Sequence, residues 1–188
     1  MKVWFDLDGV LVDSVAHAHD LMRRHLSFAV KGGATYERPV VPAHLSSDHC
    51  LIVDGLLSAC WGDPEFMRTA PEMFGMVQVV QQVAAAGLLG GFITARPATD
   101  PMHDATEAWL QARELDTTHL VFGANKLKLI DPDDLLFDDK PGTFRASQQV
   151  IVPLNDYTRA PLALAGNRSY STPIEALGLI LQAAKGTP

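Results

Sequence analysis

Short apolar runs alternate with helix-like segments along most of this 188-residue chain. Each run is bounded by acidic residues, glycine or proline, and we therefore predict buried strands. Strands that alternate with helices favour a mostly parallel sheet with helices on both faces, because parallel neighbours need a crossover connection. The predicted fold class is α/β, with a Rossmann-like core. The predicted strands are residues 3–5, 88–93, 120–122, 135–137 and 150–152.

One stretch of the chain breaks this alternation. Residues 15–70 are helix-like, except for a glycine- and proline-containing part at 31–47, and they lie between the first two predicted strands. Open α/β sheets bind their ligands at the carboxyl ends of the strands. We therefore predict a small helical cap at 15–70, inserted over this edge of a core that comprises residues 1–14 and 71–188.

Composition excludes several classes of partner. The formal net charge of -7 makes the chain a poor ligand for nucleic acid backbones and anionic membranes. A small phosphate ester is still compatible, because a local cation can override the global sign. Cys50 and Cys60 fit buried helix positions better than a disulfide framework. We expect a cytoplasmic protein with no nucleic acid or membrane partner, and a homodimer is left open.

The first predicted strand runs directly into a pair of acids. Asp6 and Asp8 stand two residues apart, just before Gly9. A carboxylate such as Asp6 can attack phosphorus as a nucleophile, and Asp8 can give a proton to the leaving oxygen. Such a pair needs a cation to relieve its repulsion, and carboxylate sites of this kind suit Mg2+.

Two further strand ends carry polar residues suited to phosphate chemistry. The hydroxyl of Thr94 and the backbone amide at Ala95 can hold phosphate oxygens beyond the second strand. Asp138 and Asp139 follow the predicted strand at 135–137, and we expect acids at this position to complete a metal site.

A lysine after the predicted strand at 120–122 would offset negative charge on the nucleophile and the phosphoryl group. Lys126 and Lys128 are both candidates, and residues two apart on a helix point roughly 200° apart. We favour Lys126, which we expect in the first turn of the next helix, facing the strand ends. For Arg96 and Lys140, contact with phosphate and a solvent-exposed position are equally compatible with the sequence.

These segments, of which FDLDGVLVDS at residues 5–14 is the most specific, resemble the four motifs of the haloacid dehalogenase (HAD) superfamily, in the family's order. The resemblance covers about residues 3–155. It implies a Mg2+-dependent phosphatase that forms an aspartyl-phosphate on Asp6. It also implies that the metal is held by Asp6, the backbone carbonyl of Asp8 and an acid of the fourth motif, for which we take Asp138.

The fourth motif points to one branch of the superfamily. Asp138-Asp139-Lys140-Pro141 is similar to the Asp-Asp-Arg-Pro motif of 5'(3')-deoxyribonucleotidases, and residues 66–83 and 150–155 also resemble that family. Lys140 replaces its arginine, and Ala95 stands where the mammalian enzymes have serine. If residues 131–134 are not an insertion, Lys128, and not Lys126, has the spacing to Asp138 that the mammalian enzymes show. The resemblance implies a nucleoside monophosphate as substrate.

Three other functions stay open. The first motif also suits phosphoglycolate phosphatases and β-phosphoglucomutases, so another small phosphate ester is the main alternative. A non-catalytic HAD-fold binding protein is the second, and a phosphatase of nucleic acid ends, disfavoured by the charge, is the third. Side chains that would stack on a base, or else form the core of the cap, are Trp61, Phe66, Met67 and Phe74.

Overall fold

A computed structural model describes residues 1–26, 47–140, 143, 149–155 and 158–186. In these residues the α/β class is confirmed, with one sheet of six parallel strands. Five strands lie where the apolar runs predict them. The sixth was not predicted, because its sequence Arg-Ser-Tyr is polar. The strands are β1 Val3–Phe5, β2 Leu89–Thr94, β3 Leu120–Phe122, β4 Leu135–Phe137, β5 Val150–Pro153 and β6 Arg168–Tyr170.

Helices connect the strands and form the inserted segment. The predicted long helices are present, and the capping box at the last one is formed by Thr172, whose side chain accepts from the Glu175 N–H. Two short helices, α3 and α6, were not predicted as separate elements. The helices are α1 Ser14–His25, α2 Ser47–Gly62, α3 Pro64–Thr69, α4 Met76–Ala85, α5 Asp100–Gln111, α6 Arg159–Ala165 and α7 Pro173–Lys185. The predicted irregular stretch at 31–47 falls almost wholly outside the described residues.

The strand order, β3-β2-β1-β4-β5-β6, places β1 in the middle of the sheet. Successive strands are added to one side of β1 and then to the other, so the order reverses between β1 and β4. Parallel α/β sheets form a ligand crevice at such a point, outside the carboxyl ends of the strands. The Asp6 N–H donates to the Phe137 carbonyl at 2.8 Å, and this bond extends the β1–β4 pairing to the edge of the crevice.

Several aromatic side chains pack on the sheet. Phe5 and Phe137 stack with ring centroids 4.9 Å apart, and Tyr170 packs against Phe137 at 5.4 Å. Trp109 of α5 is buried, and its indole N–H donates to the Ala70 carbonyl at 2.8 Å. This contact joins α5 to the end of α3, so the return from the inserted segment is anchored to the core.

The inserted helices carry a small hydrophobic cluster of their own, formed by Ala18, Met22, Val53 and Phe66. Val12, before α1, forms a bridge with Glu72, which follows α3, so the chain enters and leaves the segment at one place. The division into a cap and a core stays a proposal that these contacts support. Within the part of the chain that the structure describes, no helix has the length and apolar character needed to cross a membrane.

Close packing of β2 against Trp4 gives a test of the fold. Gly91 has a φ of +147°, and a Cβ there would overlap the His119 carbonyl oxygen and the Trp4 indole. We expect Gly91→Ala to lower the free energy of unfolding by about 2–3 kcal/mol, as measured by urea denaturation.

Gly178→Ala is the matched control. Gly178 lies in α7, and a Cβ added to it would meet no atom within 4 Å. Alanine in a helix interior is favoured over glycine by roughly 0.5–1 kcal/mol, so this variant should be slightly more stable than the parent. A Gly91→Ala protein with the parent's urea midpoint would contradict the packing described for β2.

Candidate active site

A tight turn after β1 presents the first acids at the crevice. The Leu7 carbonyl accepts hydrogen bonds from the amides of residues 10–12, at 3.2, 2.9 and 2.8 Å. Gly9 adopts a φ of +73° within this turn, a conformation that costs glycine little. The turn holds Asp6 and Asp8 at the carboxyl end of the central strand, where both carboxylates are largely buried.

A lysine bridges two of the predicted acids. Lys126 Nζ lies 2.5 Å from Asp6 Oδ2 and 2.9 Å from Asp138 Oδ2, and its side chain is only 3% exposed. The other Asp6 oxygen accepts the Leu7 N–H at 2.7 Å. Donors on both oxygens therefore fix the orientation of the Asp6 carboxylate.

The neighbouring lysine has a different environment. The sequence suggested that these lysines lie in the first turn of an α-helix. Instead, Lys126 and Lys128 belong to a three-residue 3-10 helix. Its tighter winding still separates residues two apart onto different sides. Lys128 is exposed, whereas Lys126 reaches the strand ends, so the geometry supports Lys126 as the site lysine.

Three buried carboxylates could hold a metal ion. Asp6, Asp138 and Asp139 each offer an oxygen, and these oxygens all lie within 4.8 Å of one another. The remaining oxygen of Asp138 accepts the Lys140 N–H at 2.7 Å, which orients this carboxylate. A cluster of oxygen donors of this kind fits Mg2+, which prefers carboxylates and water. The Asp8 side chain is not part of the cluster.

The electrostatics of the cluster favour a bound cation. Burial raises the pKa of Asp6 well above its ordinary value; Lys126 opposes this shift, and Asp138 and Asp139 add to it. Burial acts to lower the pKa of Lys126, but the carboxylates of Asp6 and Asp138 outweigh it and raise this pKa above its usual range. Lys126 therefore stays charged, and a divalent cation would further relieve the repulsion among the acids.

The end of β2 supplies the predicted phosphate-binding residues. Thr94 is fully buried, and its Oγ1 accepts the Arg96 N–H at 3.2 Å. Its carbonyl accepts the Gly123 N–H at 2.8 Å, which ties β2 to the loop before Lys126. Ala95 is exposed at the crevice edge. These positions are compatible with a phosphate contact, and the roles themselves stay predictions.

Arg96 pairs with Asp8, a contact that the sequence did not predict. Its guanidinium donates to both oxygens of Asp8, from Nε at 2.9 Å and from a terminal nitrogen at 2.6 Å. Its side chain is 0% exposed, and the Phe66 ring centroid lies 5.6 Å from its central carbon. The sequence shows an arginine two residues after Thr94, but nothing in the local sequence identifies its partner Asp8, which lies 88 residues away.

The remaining candidates divide by exposure. Phe66 and Met67 are buried and belong to the packing of the protein, so neither ring nor thioether is presented to a base. Trp61 is half-buried and stacks on Phe66 at 5.7 Å, and Phe74 is 91% exposed. The Lys140 side chain is exposed. Among the described contacts, Lys140 reaches the site through its backbone N–H, which donates to Asp138.

Comparison with solved structures shows a shared fold. A HAD family hydrolase from Deinococcus radiodurans R1, with bound phosphate and sodium, is 16% identical over 100% of this chain and 97% of that one, with a TM-score of 0.63. A predicted phosphatase from Clostridium acetobutylicum is 15% identical, covering 96% and 98%, with a TM-score of 0.59. A protein from Thermotoga maritima assigned as a β-phosphoglucomutase is 15% identical, covering 97% and 99%, with a TM-score of 0.56.

The chain therefore has the Rossmann-like fold of HAD hydrolases, as the motifs predicted. No family model matches the sequence, and no curated protein matches it. None of the three structures is described as a nucleotidase, so the resemblance to 5'(3')-deoxyribonucleotidases stays a prediction.

The two lysines of the 3-10 helix can be tested side by side. Removing the amine of Lys126 leaves Asp6 and Asp138 without their shared cation, so we expect Lys126→Ala to lower the rate of phosphate release by about 10²-fold or more. Lys128→Ala is the matched control and should stay within about twofold of the parent, because exposed charges contribute little. Steady-state phosphate release measures both. The reverse pattern would show that Lys128 is the functional residue.

Proposed function

We propose that this protein is a Mg2+-dependent phosphomonoester hydrolase that works through an aspartyl-phosphate on Asp6. The observation that carries this proposal is the bridge from Asp6 through Lys126 to Asp138, formed at the carboxyl ends of adjacent strands. A nucleophilic carboxylate, a buried cation and a cluster of metal-ligating oxygens are the groups that phosphoryl transfer requires. The shared HAD fold supports the same assignment.

The proposed reaction has two chemical steps. An Asp6 oxygen attacks phosphorus, the ester P–O bond breaks, and the leaving oxygen takes a proton from Asp8. Water then attacks the phosphorus of the aspartyl-phosphate, the bond to Asp6 breaks, and Asp8 accepts the proton from this water. Lys126 offsets negative charge on Asp6 and on the phosphoryl oxygens in both steps, and Thr94 and the Ala95 amide hold those oxygens.

Mg2+ would be held by side-chain oxygens of Asp6 and Asp138 and by the backbone carbonyl of Asp8, with Asp139 beside them. When bound, it would supply charge neutralisation for the phosphoryl oxygens. The role of the protein is to keep the oxygens together, and the bonds from Lys126 and from the Lys140 N–H to Asp138 support this role.

Substitution of the nucleophile tests covalent catalysis. An amide cannot form the acyl-phosphate, so Asp6→Asn should abolish phosphate release and leave the far-ultraviolet circular dichroism spectrum unchanged. Asp133→Asn, in the exposed loop before β4, is the control and should keep the parent's activity. Activity of Asp6→Asn within tenfold of the parent would exclude Asp6 as nucleophile.

Metal binding can be tested without turnover. A ligand that binds only the folded state at about 100 times its Kd adds roughly 2.7 kcal/mol of stability, so saturating Mg2+ should raise the Tm by about 5 °C or more. Asp138→Asn should lose most of this rise, because it removes one oxygen of the cluster and its charge. Asp133→Asn should keep it. A parent protein whose Tm does not respond to Mg2+, or full activity in excess EDTA, would refute the metal site.

Two alternatives for the substrate have support, a nucleoside monophosphate and another small phosphate ester. The Asp138-Asp139-Lys140 sequence and residues 66–83 resemble nucleotidases, which favours nucleoside monophosphates, with deoxyribose preferred. The assignment of the Thermotoga maritima protein favours a sugar phosphate equally well, and phosphoglycolate fits the first motif. A non-catalytic binding protein is disfavoured by the site itself, since the groups for both chemical steps lie together.

A substrate panel separates these alternatives. Deoxynucleoside and ribonucleoside monophosphates, hexose phosphates and phosphoglycolate should be compared by kcat/KM at fixed Mg2+. We expect the nucleoside monophosphates to rank highest. Phosphoglycolate or a hexose phosphate at the top would overturn the nucleotidase assignment and leave the phosphatase chemistry intact. Asp6→Asn, prepared in the same way, is the control for each substrate, because a residual rate more than tenfold below that of the parent measures the background hydrolysis.

A further inference from the structure

Among the residues that the structure describes, Arg96 is the side chain that fixes the direction of the Asp8 carboxylate. The backbone of Asp8 is held by the turn after β1, but the side chain can still rotate about two bonds. The guanidinium of Arg96 donates to both carboxylate oxygens, at 2.9 and 2.6 Å. Two parallel bonds from a planar fork define the plane of a carboxylate, which a single point charge does not.

Arg96 is itself held from several sides. Its backbone N–H donates to Thr94 Oγ1, its guanidinium lies by the Phe66 ring, and a terminal nitrogen is 4.0 Å from the sulfur of Met102. A cation near an aromatic face is attracted by the ring, more strongly where water is excluded. Because the Arg96 side chain is fully buried, its fork has little freedom to turn away from Asp8.

We infer that Arg96 is a positioning residue for Asp8 and does not bind the phosphate. This inference rests on the proposed function, in which Asp8 exchanges a proton with the leaving oxygen and then with water. As the acid, Asp8 carries the proton on one oxygen, which gives up its bond to the fork, while the other oxygen keeps its bond and holds the group in place. Asp8 regains this proton from the attacking water in the second step, which returns it to the acid form for the next turnover. Asp6 has its own cation in Lys126, so Asp6 and Asp8 are oriented by different basic residues.

The inference predicts a dependence on the leaving group. p-Nitrophenolate leaves without help from an acid, whereas an alkoxide such as that of glycerol 2-phosphate needs a proton. Arg96→Gln should therefore lower kcat/KM for glycerol 2-phosphate by about tenfold or more, with a loss below about threefold for p-nitrophenyl phosphate. This ratio reports the steps up to formation of the aspartyl-phosphate and leaves out the hydrolysis that both substrates share, and KM itself should not rise. Arg96→Lys should show the same selectivity, because it keeps the charge and loses the fork.

Arg113→Gln is the matched control. Arg113 also lies over an aromatic ring, 3.7 Å from the Trp109 centroid, and pairs with Glu72 at 3.3 Å, but it is outside the site. Its loss should lower stability without changing the ratio of the two kcat/KM values. An equal loss on both substrates in Arg96→Gln would assign Arg96 a general structural role. A higher KM with unchanged kcat would make it a phosphate ligand, and either result overturns the inference.

A double variant tests whether Arg96 acts through Asp8. Asp8→Asn alone should show the same leaving-group selectivity, and adding Arg96→Gln to it should cause no further loss of kcat on glycerol 2-phosphate. A loss equal to the product of the two single effects would show that Arg96 acts independently of Asp8.

The same set of variants separates failure of the inference from failure of the proposed function. In urea denaturation, the double variant should lose no more stability than the less stable of the two single variants. Each single substitution already breaks the Arg96–Asp8 pair, so the second substitution has no pair left to break. Additive shifts of the urea midpoint would overturn the Arg96–Asp8 link whether or not the protein turns over. If the parent released no phosphate from any substrate while the shifts of the urea midpoint were non-additive, the proposed phosphatase function would be rejected. The Arg96–Asp8 link would be retained.

Discussion

Burial of like charges at the carboxyl edge of the sheet is the constraint on which the rest of the site depends. Asp6, Asp138 and Asp139 bring their oxygens within 4.8 Å of one another, in surroundings that nearly exclude water. Ionised carboxylates are costly to bury unless a cation compensates them. Lys126 provides part of that compensation, because its 3-10 helix lies where the amine reaches the acids that follow two adjacent strands.

The two acids that flank Leu7 are thereby separated in function although they are close in sequence. Asp6 shares a lysine with Asp138, whereas Asp8 is held by the fork of Arg96. A point charge suits a group that must be neutralised, and a planar fork suits one that must be aimed. The Phe66 ring beside Arg96 belongs to the hydrophobic cluster of the inserted helices, so packing of that segment and orientation of Asp8 are physically connected.

The fold and the substrate are determined by different parts of the chain. Sequence identities of 15–16% accompany TM-scores near 0.6, which shows how many sequences satisfy the same sheet and crossovers. The proposed chemistry uses residues at the strand ends, which the sheet places with little freedom. Substrate choice depends on the side chains that face the reacting group, and a shared fold does not specify those.

Much of the fold and of the site followed from local sequence. Five strands, the long helices and the positions of Asp6, Thr94 and Asp138 could be predicted, because hydrophobic periodicity and strand-end acids are properties of a few neighbouring residues. The polar strand β6 and the pairing of Arg96 with Asp8 could not be, since the first depends on pairing with β5 and the second joins residues 88 positions apart. Only tertiary structure decides which distant cation reaches a buried acid, because that choice is set by which strand ends the sheet brings together.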